Sequence, residues 1–210
     1  MKKQFIIFDF DGTLINTDPA IIASWQEVFR TYRGHECGLE TIYRTFGETI
    51  KDTVARFFPD EDQEEVIRCY RAYQDAHCKE LLSIFDGIPE LLDELEARGR
   101  TVAIVTSRLA KTTAEYLDLF HLRDRFKVII TADDTKAHKP DPEPLLMALE
   151  KLGARREEAV MLGDTRFDIG CCKNAGVDSV LVHWGHPSTG DEGEPTWHIH
   201  RPEELLTLID

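Results

Sequence analysis

Residues 5–13 read Phe5-Ile6-Ile7-Phe8-Asp9-Phe10-Asp11-Gly12-Thr13. Four consecutive apolar residues suit a strand buried on both faces, as in a parallel sheet. Two carboxylates follow at once, flanking Phe10, and Asp11-Gly12 is a turn signal. Taken singly, an aspartate at a strand end is a cap or turn residue. Two carboxylates at the C-terminal end of a buried strand are costly unless a cation or a reaction uses them. In open α/β sheets that edge is where ligands bind.

Four further short apolar runs lie downstream: Thr101–Val105, Val128–Ile130, Ala159–Leu162 and Ser179–Val182. Helical patterns alternate with them. Leu91, Leu92 and Leu95 precede Gly99. Leu145, Leu146, Leu149 and Leu152 precede Gly153. Phe167, Ile169, Cys172 and Ala175 precede Gly176. A glycine just past the last apolar turn is a helix stop. Strand and helix in alternation predict a doubly wound α/β domain with a parallel sheet.

From Ile15 to Leu82 that rhythm breaks, with no strand signal. Asp18 and Pro19 read as an N-cap and first helical residue. Ile21, Trp25, Val28, Phe29 and Tyr32 share one helical face; Val66, Ile67, Tyr70, Tyr73 and His77 form a second stripe. Such stripes are core faces before they are binding surfaces. The pattern predicts a helical cap over residues 15–82, inserted into a catalytic core made of residues 1–14 and 83–210. His183–Pro195, rich in glycine and proline, reads as a loop, and a short helix is expected near Pro202–Ile209.

Three other strand ends carry polar groups. Thr106-Ser107-Arg108 follows the second run, where a hydroxyl and free N–H groups suit a phosphate oxygen or simply cap the next helix. Lys136-Ala137-His138-Lys139-Pro140 places lysines before a rigid turn, where a lone lysine is usually solvated. Gly163-Asp164-Thr165-Arg166-Phe167-Asp168 puts two carboxylates four residues apart at a helix start. They serve either a cation or the helix dipole.

The order and spacing of these four segments resemble the haloacid dehalogenase-like hydrolases, in the branch of phosphoglycolate phosphatases, pyrophosphatases and β-phosphoglucomutases. The resemblance covers essentially the whole chain. It implies sheet order 3-2-1-4-5, which gathers the four motifs. It implies Asp9 as nucleophile, forming an aspartyl phosphate, and Asp11 as general acid and then base. It implies Mg²⁺ held by Asp9, the Asp11 carbonyl and Asp164, with Asp168 a direct ligand or an anchor behind one. Gly12, Thr13, Thr106 and Ser107 would bind the phosphoryl group, and Lys139 would neutralise it and Asp9 together. An acid at position 11 favours phosphate esters or anhydrides over carbon–halogen cleavage.

Substrate choice falls to the cap. Arg44, Lys51 and Arg56, or Arg108 in the core, could meet an anionic group on the substrate; solvated helix charge is the alternative for the three cap residues. The expected activity is Mg²⁺-dependent hydrolysis of a small phosphorylated metabolite such as phosphoglycolate. A phosphomutase, a pyrophosphatase and a non-catalytic phosphoacceptor are the competing readings.

The 210 residues carry a formal charge of −14. So acidic a surface repels nucleic acid and anionic membranes, and neither is expected as a partner. Five cysteines without C-x-x-C spacing predict no disulfide framework or zinc site. The short N-terminal apolar run, interrupted at Asp9, predicts no signal peptide. A cytoplasmic monomer or homodimer is expected. The eight histidines show no ligand spacing and read as surface or loop residues.

Overall fold

The computed structural model describes residues 2–209. The chain runs β1 (Phe5–Phe8), β2 (Ile15–Asn16), α1 (Asp18–Arg33), α2 (Leu39–Tyr43), α3 (Ile50–Phe57), α4 (Gln63–His77) and β3 (Ser83–Ile84). It continues through α5 (Ile88–Ala97), β4 (Thr101–Val105), α6 (Ala110–Leu119), β5 (Val128–Ile130), α7 (Glu143–Leu152) and β6 (Ala159–Gly163). It closes with α8 (Arg166–Ala175), β7 (Asp178–Val182), β8 (Trp197–Ile199) and α9 (Leu205–Leu208).

A six-stranded sheet has the order β5-β4-β1-β6-β7-β8, with every pairing parallel. Its first five strands are the five predicted runs in the predicted order. β1 is central, with Phe5 opposite both Thr101 and Ala159. Strand alternation then divides its side chains between two layers. Ile6 and Phe8 join Leu91, Leu92, Leu95, Tyr116 and Leu117 of α5 and α6. Ile7 joins Leu145, Leu149, Cys171 and Cys172 of α7 and α8. Burying each such side chain stabilises the fold by about 1.5–3 kcal/mol. The sheet therefore positions the residue after Phe8, which is Asp9, at the end of its central strand.

The sixth strand, β8, pairs with β7 where the sequence reading assigned no element. Three residues with an exposed His198 in the middle are too few to show a period. The stretch from Ile15 to Leu82, read as free of strands, in fact opens with β2, and β3 follows directly after it; the two form a two-residue antiparallel ribbon, Ile15 opposite Ile84 and Asn16 opposite Ser83. The chain thus leaves the sheet region and returns to it along one narrow ribbon.

Helices α1–α4 lie between the two halves of that ribbon and share their own core. Trp25, Val28 and Phe29 pack with Ile42, Phe46, Val54, Phe58, Val66, Ile67 and Tyr70. The Trp25 and Tyr70 rings lie 4.7 Å apart. Thr49 and Asp62 cap α3 and α4, accepting from the N–H groups of Asp52 and Glu65. Tyr73, predicted on the insertion's own stripe, packs instead against the main core. At α1 the predicted cap is displaced by one residue. Thr17 occupies the N-cap position without a side-chain hydrogen bond, and Asp18 is already helical. Its carboxylate is therefore available to the cleft described below.

Candidate active site

The ends of β1, β4 and β6 lie side by side, and the loop before α7 reaches the same edge. Asp9 and Lys139 are 3% and 5% exposed. Lys139 Nζ lies 2.8 Å from Asp9 Oδ1 and 2.6 Å from Asp168 Oδ1, and donates to the Val105 carbonyl at 3.4 Å. Asp168 is fully buried. Its second oxygen, Oδ2, accepts from the Thr165 N–H at 3.1 Å and the Thr165 hydroxyl at 2.6 Å. Capping and chemistry are thus combined in one residue: Asp168 caps α8 with one oxygen and grips the lysine with the other.

Asp164 is set by the turn after β1. Thr13 Oγ1 donates to Asp164 Oδ1 at 3.3 Å. Gly12 has φ +71°, and a Cβ there would sit 2.0 Å from Asp164 Oδ2. Only glycine permits both this left-handed turn and so close an approach. Gly12 and Thr13, expected among the phosphate binders, pack directly against Asp164 and position it.

Carboxylate oxygens of Asp9, Asp164 and Asp168 all lie within 4.8 Å of one another. Burial, reinforced by Asp168 and Asp164, pushes the Asp9 carboxyl well up, while Lys139 pulls it back. Burial likewise raises Asp164 against the pull of His186. Lys139 is lifted above the usual ammonium value because Asp168 and Asp9 outweigh its desolvation. Three buried carboxylates around one lysine leave excess negative charge. A hard, all-oxygen donor set of this kind fits Mg²⁺.

Asp11 lies beyond this cluster, forked by Arg108. Arg108 Nη2 donates to Asp11 Oδ1 at 2.7 Å, and Nε lies 3.0 Å from Oδ2 and 3.1 Å from Oδ1. The guanidinium also stands over the Tyr116 ring at 4.6 Å. Burial opposes its charge, but Asp11 outweighs burial and raises it. Thr106 Oγ1 accepts from the Arg108 N–H at 3.1 Å. Ser107 Oγ is buried without a hydrogen-bond partner.

These residues floor a cavity of ≈ 200 Å³ between the sheet edge and the helical insertion. Asp9, Asp11, Asp164, Thr106, Ser107, Arg108 and His138 line the core side. Trp25, Phe46, Thr49, Lys51, Tyr70 and Arg71 are among those facing it from the insertion. Arg44, expected near the substrate, is a correction: it does not line the cleft. It pairs with Glu40 at 3.2 Å and lies 3.9 Å from Asp191, on the outer surface. Arg56 is turned away too, bound to Glu48 at 2.7 Å.

Two site residues escaped the sequence reading. Asp18 lines the cleft, its Oδ1 buried without a partner. Burial and the nearby Asp164 push its carboxyl up to about 7. His186 Nε2 lies 3.1 Å from Asp164 Oδ2, with both side chains almost wholly buried. Burial works against its charge, yet Asp164 outweighs that and lifts the imidazole to about 9. Nothing in a loop of small polar residues marks this histidine; only the neighbouring Trp184-Gly185 is unusual there. The histidines of the β7–β8 edge remain surface residues as expected: the rings of His183, His198 and His200 stack nearly parallel.

Residues 6–182 match the family described as haloacid dehalogenase-like hydrolase. The chain is 35% identical over 213 residues to a pyrophosphatase PpaX of Halalkalibacterium halodurans, covering 100% of this chain and 98% of that one. It is 38% identical over 212 residues to a pyrophosphatase PpaX of Bacillus cereus, covering 100% and 97%. Among solved structures it is similar to a putative phosphoglycolate phosphatase of Lactobacillus plantarum. That match has 29% identity and a TM-score of 0.89, over 99% of this chain and 100% of that one.

Proposed function

The chain belongs to the haloacid dehalogenase-like hydrolases, and on that premise we propose that it is a Mg²⁺-dependent phosphohydrolase acting on inorganic pyrophosphate through Asp9. The observation that carries this reading is Lys139 seated between Asp9 and Asp168, with Asp164 in the same buried cluster. The choice of pyrophosphate draws on the full-length pyrophosphatase relatives and on Arg108, a buried cation facing the cleft.

Asp9 attacks phosphorus in line, and the bond to the bridging oxygen breaks as the aspartyl phosphate forms. A carboxylate needs no base for this attack. Lys139 offsets negative charge on Asp9 and on the phosphoryl oxygens. Thr106 and Ser107 hold those oxygens, and the unpartnered Ser107 hydroxyl suits that task. Asp9, the Asp11 carbonyl and Asp164 are the groups that would hold Mg²⁺, whose charge would polarise the phosphoryl group. Asp168, 2.6 Å from Lys139 Nζ, anchors the lysine.

Asp11 takes up a proton once the substrate displaces it from Arg108, gives that proton to the leaving phosphate, and then takes one from the water that hydrolyses the aspartyl phosphate. Its fork to Arg108 bears on the first step. An anionic leaving group competes for the guanidinium and frees Asp11 beside it. Lys51 and Arg71 at the cleft mouth add positive charge on the insertion side. Residues 15–82 act as a cap that shuts the cleft against water.

A second reading, a small phosphomonoester of the phosphoglycolate kind, is favoured by the apolar side chains of Trp25 and Phe46 in the cleft wall. Phosphate release from pyrophosphate, phosphoglycolate and a panel of phosphorylated metabolites, with and without Mg²⁺, decides between them. Folded protein that releases phosphate from none of these would sink both. A sugar phosphate isomerised rather than hydrolysed would move the assignment to a mutase.

A further inference from the structure

The loop after β7 makes three successive contacts with the site. Trp184 Nε1 donates to the Thr13 carbonyl at 3.0 Å. Gly185 runs so close to the first motif that a Cβ would lie 3.0 Å from the Gly12 carbonyl. His186 then reaches Asp164 at 3.1 Å. The imidazole is fixed from behind, its Nδ1 2.8 Å from the Pro187 carbonyl. Its ring is held by the insertion: it stacks on Tyr43 at 5.9 Å and 19°, and meets Phe46 edge-on at 5.1 Å. The same loop sends Asp191 to Arg166, which also reaches the Arg44 carbonyl at 3.3 Å and Glu48 at 3.6 Å.

We infer that His186 is a positioning residue that fixes the Asp164 carboxylate and makes its orientation depend on the helical insertion being seated against the core. This rests on the reading of Asp164 as a cation ligand. Asp164 has its Oδ1 on the Thr13 hydroxyl and its Oδ2 in an ion-pair contact with His186, 3.1 Å from an Nε2 that makes no aligned hydrogen bond, so the carboxylate is restrained at both ends. Thr13 belongs to the rigid turn after β1. His186 takes its own orientation from Tyr43 and Phe46, which are not part of the core. When the insertion lifts away, the imidazole loses both aromatic supports and Asp164 loses one of its two restraints. Cation binding is thereby coupled to closure. Groups that orient a metal ligand in this way are worth about 10–100-fold in metal affinity.

The test is Mg²⁺ titration by calorimetry on the full chain without substrate, so that it does not depend on turnover. His186→Ala is expected to weaken binding about tenfold, and His186→Gln, which keeps a side-chain N–H, to recover most of the loss. A Tyr43→Ala/Phe46→Ala pair is expected to weaken binding several-fold in the parent and to add nothing in the His186→Ala background. Equal or tighter Mg²⁺ binding by a folded His186→Ala protein overturns the inference, and so do losses that simply add. Should His186→Ala not fold, the His186→Gln protein with and without the aromatic pair gives the same comparison. A parent protein that binds no Mg²⁺ overturns the cation reading as well, so the two failures are told apart.

Discussion

The floor of the cleft and its helical wall treat charge in opposite ways. On the floor, Asp9, Lys139, Asp164 and Asp168 are all at most 5% exposed; Lys139 ties Asp9 to Asp168, and Thr13 and His186 hold Asp164. On the wall, Arg30, Arg33 and Arg44 pair with Glu27, Glu61 and Glu40 near the surface of the insertion. Exposed pairs of that kind contribute about 0–1 kcal/mol each, because water and salt screen them. Removing one member of a buried pair costs several times more, since the other is left desolvated and uncompensated. The floor therefore tolerates almost no change, and the wall tolerates a great deal. On the proposed function, chemistry falls to the first region and selection among phosphorylated substrates to the second, through the few side chains that turn inward.

The sharpest way to break this contrast is Asp9→Asn. It is expected to lower turnover by roughly 10⁴-fold or more while circular dichroism and cooperative melting persist. Substantial residual phosphate release would remove Asp9 from the nucleophile's place. Gly12→Ala tests the floor without touching a charged group. The new methyl meets Asp164, and a misplacement of about 1 Å typically costs on the order of 10²-fold in rate. A protein of unchanged kcat would show that Asp164 is not set by this turn.

Asp18 belongs to the wall yet faces the floor, and its effect is on stability and pH. Its carboxyl is raised to about 7 in the fold, against about 4 in an unfolded chain. Between those values the unfolded chain releases a proton that the fold retains. Stability from this group is thus complete below about pH 4 and lost progressively up to about pH 7. Asp18→Asn, melted in chelator-treated buffer, should match the parent near pH 4 and become the more stable of the two by pH 8. A pH-independent difference in melting temperature would contradict the burial of this carboxylate. The smallest effects belong to the outer wall. Arg44→Ala should change melting and kcat/KM within about 0.5 kcal/mol. Lys51→Ala, which removes a cation at the cleft mouth, should raise KM for pyrophosphate a few-fold. Equal effects of the two would erase the distinction between inward and outward charge.

Much of the floor was legible in the chain because each functional group directly follows a buried strand or opens a helix. Asp9, Thr106 and Asp164 come immediately after apolar runs, and Lys139 comes immediately before a proline turn. Placing the strands placed the groups. The wall resisted for a corresponding reason. A helical stripe tells which face is buried, as for Trp25, Phe29 and Tyr70, but not what an exposed arginine finds across a loop. Arg44 read as a substrate contact although Glu40, four residues before it, offered a helical pair; the approach of Asp191 comes from a remote loop and is seen only in the fold. Asp18 read as a cap because its sequence context is that of a cap, and the one-residue shift of α1 appears only when the helix is seen. Strand β8 is too short for any period to register.

The sequence by itself determined five of the six sheet strands, their parallel arrangement and the motif carboxylates, since hydrophobic period and chain adjacency are local properties. Resemblance to the haloacid dehalogenase-like hydrolases supplied the strand order and a phosphoryl-transfer chemistry. Only the tertiary structure decided that Asp168 divides its oxygens between Thr165 and Lys139, that Arg108 forks Asp11, and that His186 stands between Asp164 and the helical insertion. Those contacts join residues 29, 97 and 22 positions apart. Their geometry follows from how the sheet edge, the last loop and the insertion pack together, a property of the whole fold that no window of sequence contains.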